Sequence, residues 1–183
     1  MPRLFVAIDL PDTIKDQLGA LCDGVPGAKW VKRDQLHLTL RFIGEVSDVK
    51  FREIKDTLNR INAAPFTIAM QGVGQFPPRR AARVLWVGVD APSELSQLQQ
   101  QVETTLNELG CPPDERPFSA HITLARLKTP PPISTIQDYL TRHGAFQSDP
   151  FPINQFVLYS SMLAPQGPTY RAEAVYRLGE IQD

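Results

Sequence analysis

Hydrophobic positions along the chain keep two rhythms, and the switches between them mark the elements. Arg3 to Leu10 carries the apolar run Leu4-Phe5-Val6-Ala7-Ile8, which predicts a buried first strand. After Pro11 the spacing becomes helical. Ile14, Leu18 and Leu21 predict a helix to about Cys22, broken by Gly24, Pro26 and Gly27. Ala28 to Val31 reads as a short edge strand and Lys32-Arg33-Asp34 as a turn. Leu36 to Ile43 reads as a strand closed by Gly44. Ser47 or Asp48 caps a helix from Val49 to about Ile61, with Phe51, Ile54, Leu58 and Ile61 as its stripe. Phe66 to Val73 is a strand, and Gly74 to Ala82 a loop.

The second half repeats the order. Arg83 to Asp90 is a strand. A helix from Pro92 to about Leu109 has the stripe Leu95, Leu98, Val102, Leu106 and Leu109, and Gly110 stops it. Cys111 to Arg116 is a loop, Pro117 to Leu127 holds a strand, and Pro130-Pro131-Pro132 is a stiff connector. Ser134 to His143 is a short helix. Phe151 to Ser160 and Tyr170 to Leu178 are strands, separated by the loop 165–168. Arg3 and Arg83 lie 80 positions apart, and Phe66 and Phe151 lie 85 apart. Offsets this even suggest an internal duplication, with equivalent strands on either side of a central cleft.

Composition narrows the class. The chain has 183 residues, 42% of them hydrophobic and 21% charged, and a net charge of −1. That is enough for one large domain, and the balance gives no global sign of nucleic acid. Cys22 and Cys111 form no CxxC pattern and read as reduced thiols. The apolar run at the N-terminus is too short for a signal peptide, and no stretch approaches membrane-spanning length. The expectation is a cytoplasmic protein with no membrane contact.

The candidate chemistry lies in a repeated tetrapeptide. Two of the three histidines open His37-Leu38-Thr39-Leu40 and His121-Ile122-Thr123-Leu124, 84 positions apart. On a strand, alternate residues share a face. Each copy therefore aims a His and a Thr one way and two aliphatic anchors the other. Converging strands would bring together two imidazoles and two hydroxyls: an acid, a base and two donors, suited to phosphodiester cleavage without a metal. Arg41, four residues after His37, falls on the same face by alternation. Arg126, five after His121, is out of phase unless a bulge intervenes. Either arginine could instead serve in a structural ion pair. Arg79, Arg80 and Arg83 form a basic cluster that suits a phosphate backbone or a solvated loop. Phe5, Trp30, Phe76 and Tyr170 are candidates for stacking on a base, or for the core. His143 reads as a helix-end residue. There is no HExxH motif and no cysteine cluster, so no metal site is expected and no cofactor is implied.

The paired motifs, with Arg-Leu-Phe-Val-Ala-Ile at the start, Arg-Val-Leu-Trp-Val-Gly-Val and His-Ile-Thr-Leu-Ala-Arg, resemble the two-histidine phosphoesterase superfamily. The nearest branch is the RNA 2′,3′-cyclic phosphodiesterase, or 2′–5′ RNA ligase, family, and the likeness spans nearly the whole chain. It implies a bilobal α+β fold: two antiparallel sheets with pseudo-two-fold symmetry around a cleft, helices outside. The chain would be a single domain, 1–183, of two interleaved repeats, about 1–75 and 83–183. The resemblance implies metal-free hydrolysis of RNA 2′,3′-cyclic phosphate ends to 2′-phosphates in RNA processing. His37 is then the proton donor and His121 the proton acceptor, with Thr39, Thr123, Arg41, Arg126 and Phe5 as substrate contacts. Ser119 stands where the family often has Arg, which leaves the finer contacts open. Reversible 2′–5′ ligation with the same groups, a smaller cyclic phosphate substrate and a non-catalytic RNA-binding module are the alternatives. A complete site in one chain gives no reason to require a dimer.

Overall fold

Leu4, Val6 and Ile8 on one side of the first strand and Phe5 and Ala7 on the other are all buried, which makes this strand the centre of a sheet covered on both faces. The computed structural model describes residues 1–179; positions 180–183, the end of the second repeat, lie outside the described residues. Among the described residues there are nine strands and four α-helices, an α+β arrangement of two antiparallel sheets. The strands are β1 (Arg3–Asp9), β2 (Lys29–Trp30), β3 (His37–Glu45), β4 (Phe66–Phe76), β5 (Val84–Asp90), β6 (His121–Arg126), β7 (Phe151–Ile153), β8 (Gln155–Ala164) and β9 (Gly167–Arg177). The helices are α1 (Asp12–Gly19), α2 (Asp48–Thr57), α3 (Ser93–Glu108) and α4 (Ile133–His143). One sheet runs β3-β1-β8-β9 and the other β2-β6-β5-β4-β7.

The helical stripes read from spacing are the helix cores. Ile14 and Leu18, Ile54 and Leu58, and Leu95, Leu98, Val102 and Leu106 are all buried in one cluster with Leu4, Val6, Ile8, Leu38, Leu40, Ile122 and Leu124. Burying a Leu or Ile side chain is worth about 1.5–3 kcal/mol, so this shared core fixes the helices on the outer faces of the sheets. Ser47 caps α2 by accepting from the Lys50 amide at 3.1 Å. Tyr139 of α4 is fully buried and donates to the Leu21 carbonyl at 2.8 Å, tying α4 to the segment after α1.

Several boundaries differ from the sequence expectation: α1 ends at Gly19 rather than about Cys22, α2 at Thr57 rather than about Ile61, and β9 begins at Gly167, inside the expected loop. The strand expected to close at Gly44 continues through it to Glu45, with Gly44 at φ +90°. Gly74 to Phe76, expected as loop, prolongs β4, because Gly74 lies under the Trp86 indole of β5. A Cβ there would come within 2.2 Å of the ring. The expected strand from Phe151 to Ser160 is two strands in different sheets. β7 pairs with β4 and β8 with β1, and only Asn154 separates them.

Candidate active site

β3 and β6 are where the two sheets meet, so the two tetrapeptides come together. Leu38, Leu40, Ile122 and Leu124 are buried beneath them, and the histidines and threonines between are half-buried. The alternation puts His37 and Thr39 on one face of β3, and His121 and Thr123 on one face of β6, with the aliphatic anchors on the other.

Each imidazole is held the same way. His37 Nδ1 lies 2.6 Å from the Gln35 carbonyl, and His121 Nδ1 lies 2.8 Å from the Ser119 carbonyl. A carbonyl can only accept, so Nδ1 carries the proton in both rings and Nε2 is left for chemistry. His37 Nε2 is 2.9 Å from Thr39 Oγ1, so the neutral ring accepts from that hydroxyl. His121 is flanked by Phe76, edge-on with centroids 5.0 Å apart, and by Trp86 at 6.3 Å. The Trp86 Nε1–H is buried and meets no hydrogen-bond partner among the described residues.

The surroundings of His37 oppose its protonation. Burial pushes its pKa below the ordinary 6.5. The Gln35 carbonyl and Asp9 pull it up, while Lys15 and Arg126 push it down. Lys15 is itself buried against Asp9, with Nζ 2.9 Å from Oδ1. The neutral form is thus the one folding favours. Its contribution to stability is full above the unfolded value of about 6.5 and is lost as pH falls through the lower folded pKa. An NMR titration of the His37 Cε1–H should show a midpoint below 6.5, moving up when inorganic phosphate is added.

Two bulges decide which arginine reaches the site. In β1–β3 the register passes from Ala7↔Thr39 to Val6↔Arg41, so Leu40 is an extra residue and parity inverts. Arg41, expected on the catalytic face, instead points to the helices. It is 5% exposed, its Nε donates to Glu103 Oε2 of α3 at 2.7 Å, and its other nitrogens reach the Pro112 and Phe42 carbonyls. In β5–β6 the register passes from Trp86↔Thr123 to Leu85↔Ala125, leaving Leu124 extra. Arg126, out of phase by simple counting, is thereby brought onto the face of His121 and Thr123. Its charge is felt at His37 and at Tyr170.

Phe5 is also corrected as a direct stacking platform. It is 3% exposed, enclosed by His37 (5.1 Å), Tyr170 (5.0 Å), Tyr159 (5.2 Å) and Phe42 (6.0 Å). It backs the imidazole rather than presenting a face. Tyr159, opposite Phe5 on β8, had no sequence signal, because the pairing of β1 with β8 brings together residues 154 positions apart. Trp30 is half-buried against Tyr139. Arg79 and Arg80 are exposed in the β4–β5 loop, and Arg83 donates to the Lys128 carbonyl at 2.6 Å. His143 ends α4 and packs edge-on against Tyr139 at 4.8 Å. Among the described residues no three His, Cys, Asp or Glu side chains gather to hold a metal ion, and no helix is long and apolar enough to cross a membrane.

A family model described as LigT like Phosphoesterase matches this chain twice, over residues 8–86 and 87–170. An RNA 2′,3′-cyclic phosphodiesterase of Archaeoglobus fulgidus is 35% identical over 177 residues, 95% of this chain and 99% of that protein. The protein of the same name in Escherichia coli is 37% identical over 139 residues, 71% of this chain and 77% of that one. The crystal structure of E. coli LigT complexed with 3′-AMP superposes with a TM-score of 0.78 at 31% identity, covering 98% of this chain and 100% of that one.

Proposed function

The chain belongs to the LigT-like phosphoesterase family, and from that membership we propose that it hydrolyses RNA 2′,3′-cyclic phosphate ends to 2′-phosphomonoesters by two-histidine acid–base catalysis without a metal. The observation that carries the reading is the matched pair of imidazoles, each with Nδ1 on the carbonyl two residues back and Nε2 available. The names of the relatives and the 3′-AMP held by E. coli LigT support the substrate class.

In the proposed reaction, water attacks phosphorus in line with the 3′ oxygen. Neutral His121 Nε2 takes the proton of that water as the new P–O bond forms. The P–O3′ bond breaks, and protonated His37 gives its Nε2 proton to the leaving oxygen. The product carries a 2′-phosphate and a 3′-hydroxyl, and solvent exchange resets the two rings. Each transfer is typically worth roughly 10²–10⁴ in rate. Once His37 donates to substrate, the Thr39 hydroxyl is released toward the non-bridging oxygens, where Thr123 and Arg126 also supply donors.

Arg126→Ala should lower kcat/KM about ten- to hundred-fold, the worth of a hydrogen bond to a charged group. Steady-state kinetics at fixed ionic strength would measure it, and an unchanged value would remove Arg126 from the site.

We read the chain as one domain of two interleaved halves, acting as a cytoplasmic monomer. The double match of the family model supports the halves. Both histidines on one chain make a partner unnecessary for chemistry, and the two unbonded cysteines suit a reducing compartment. The deciding experiment incubates a short RNA bearing a 2′,3′-cyclic phosphate with the protein in excess EDTA and identifies the product end. A 2′-phosphate is the expected result. An untouched substrate, or activity that returns only with metal, would overturn the proposal.

A further inference from the structure

Gln35 is held at both ends. Its backbone carbonyl accepts from His37 Nδ1 at 2.6 Å, and its side-chain Nε2 donates to the Pro168 carbonyl at 2.6 Å. Pro168 lies 133 positions away, at the start of β9. The β8–β9 hairpin is thereby tied to the carbonyl that fixes one imidazole. It also touches that ring directly, since Tyr170 stands edge-on to His37 with centroids 5.6 Å apart. At the tip, a Cβ on Gly167 would lie 3.7 Å from Lys29 Nζ, so the hairpin reaches from its own sheet to β2 of the other.

We propose that Gln35 is a positioning residue for His37, whose side chain locks the carbonyl that orients the imidazole to the β8–β9 hairpin. This rests on the acid role proposed above for His37 and adds a residue that acts through it.

Three observations carry it. Gln35 ends the 3₁₀ turn Arg33–Gln35, and only Leu36 separates it from His37. So short a turn has poor hydrogen-bond geometry and gives its carbonyl little rigidity of its own. Gln35 is half-buried, although Lys32, Arg33 and Asp34 before it are exposed, so its amide is turned inward onto the hairpin. The other motif is held differently: the carbonyl that takes the His121 Nδ1 proton belongs to Ser119, an exposed residue outside any helix or strand. The asymmetry matches the two roles. A protonated ring makes a charge-assisted bond through Nδ1–H, so the acid gains more than the base from a carbonyl kept in line.

The test uses Gln35→Met, of similar length but without a donor, and Gln35→Asn, whose amide falls one methylene short. Kinetics on RNA 2′,3′-cyclic phosphate across pH are read beside NMR titrations of the His37 and His121 Cε1–H. Gln35→Met should lower kcat about ten-fold and leave KM within about two-fold. A loosened carbonyl bond favours the imidazolium less. The descending limb and the His37 midpoint should therefore both move to lower pH, while the His121 midpoint stays. The other groups facing His37 are Asp9, Lys15, Arg126, Tyr159 and Tyr170, and the substitution leaves them in place. In a His37→Ala background Gln35→Met should change kcat by less than about two-fold, because it acts only through the ring. Gln35→Asn should fall between the parent and Gln35→Met, and it decides the matter by the same readings if Gln35→Met does not fold. A loss of kcat with the His37 midpoint unmoved, or a loss that persists without His37, would mean a structural role only. No loss would mean no role. Each of these overturns the proposal. The titration needs no turnover. If the unsubstituted protein cleaves nothing and the midpoint moves, the proposed activity falls and the link from Gln35 to His37 stands. If it cleaves and the midpoint does not move, only the link falls.

Discussion

Replacing either His37 or His121 with Ala should reduce kcat for RNA 2′,3′-cyclic phosphate by about 10²–10⁴, the worth of one positioned proton transfer. The double variant should lose less than the product of the two, because the remaining groups act on a reaction already deprived of its concerted pair. The single variants also separate the roles. With His121→Ala the surviving activity depends on protonated His37 and should fall as pH rises. With His37→Ala it depends on neutral His121 and should fall as pH drops. In the intact protein the two limbs combine into a bell. Burial holds the His37 pKa below its usual value, so the descending limb of kcat/KM should lie below the ordinary imidazole pKa. The limb in kcat should lie higher, because the bound phosphate anion favours the imidazolium. Rapid-quench assays across pH 4.5 to 9 would measure both, with circular dichroism to show that the variants remain folded. Opposite slopes would exchange donor and acceptor.

The second large effect is on stability. Arg41→Ala leaves Glu103 in a site where its carboxylate was paired at 2.7 Å and mostly covered, and leaves the Pro112 and Phe42 carbonyls without their donors. Removing one partner of such a pair costs about 3–5 kcal/mol. For a chain of this size that corresponds to a fall of about ten degrees in Tm. The double replacement Arg41→Met with Glu103→Leu should recover most of the loss, since both charges leave together. Urea unfolding of the parent, Arg41→Met, Glu103→Leu and the double variant closes the cycle. If instead Arg41→Ala unfolds like the parent and loses catalysis, the residue belongs to the site after all.

Why the sequence misplaced Arg41 and Phe5 but not the histidines is a matter of how strand register is encoded. His37 and Thr39, and His121 and Thr123, each sit within two residues of one another, inside a stretch where alternation holds. The helix stripes were legible for the same reason: Leu95, Leu98, Val102 and Leu106 specify their face locally. A bulge is a property of two strands, not one. Nothing in Leu40-Arg41-Phe42 announces that Leu40 will have no partner on β1. Arg126 was legible only conditionally, on a bulge at Leu124 of β6 that shows only in its pairing with β5. Gly74 was read as a loop because glycine usually breaks strands, and the reason for it, the indole of Trp86, lies on another strand. Asn154 marks a change of sheet, from the pairing of β7 with β4 to that of β8 with β1, which only those partner strands reveal. Tyr159 reaches Phe5 only through a pairing that spans most of the chain.

That pairing also bears on how the protein is made. β1, the most completely buried strand of its sheet, lies between β3 and β8. On a ribosome, β3 is available once the first 45 residues have emerged, but β8 is not translated until residue 164. For the interval between, Leu4 to Ile8 present an unpaired apolar edge, the kind of edge that recruits other chains. A nascent polypeptide stalled or cleaved before its last strands would therefore be hazardous as well as inactive. The first strand therefore waits for the far end of the chain to complete its pairing.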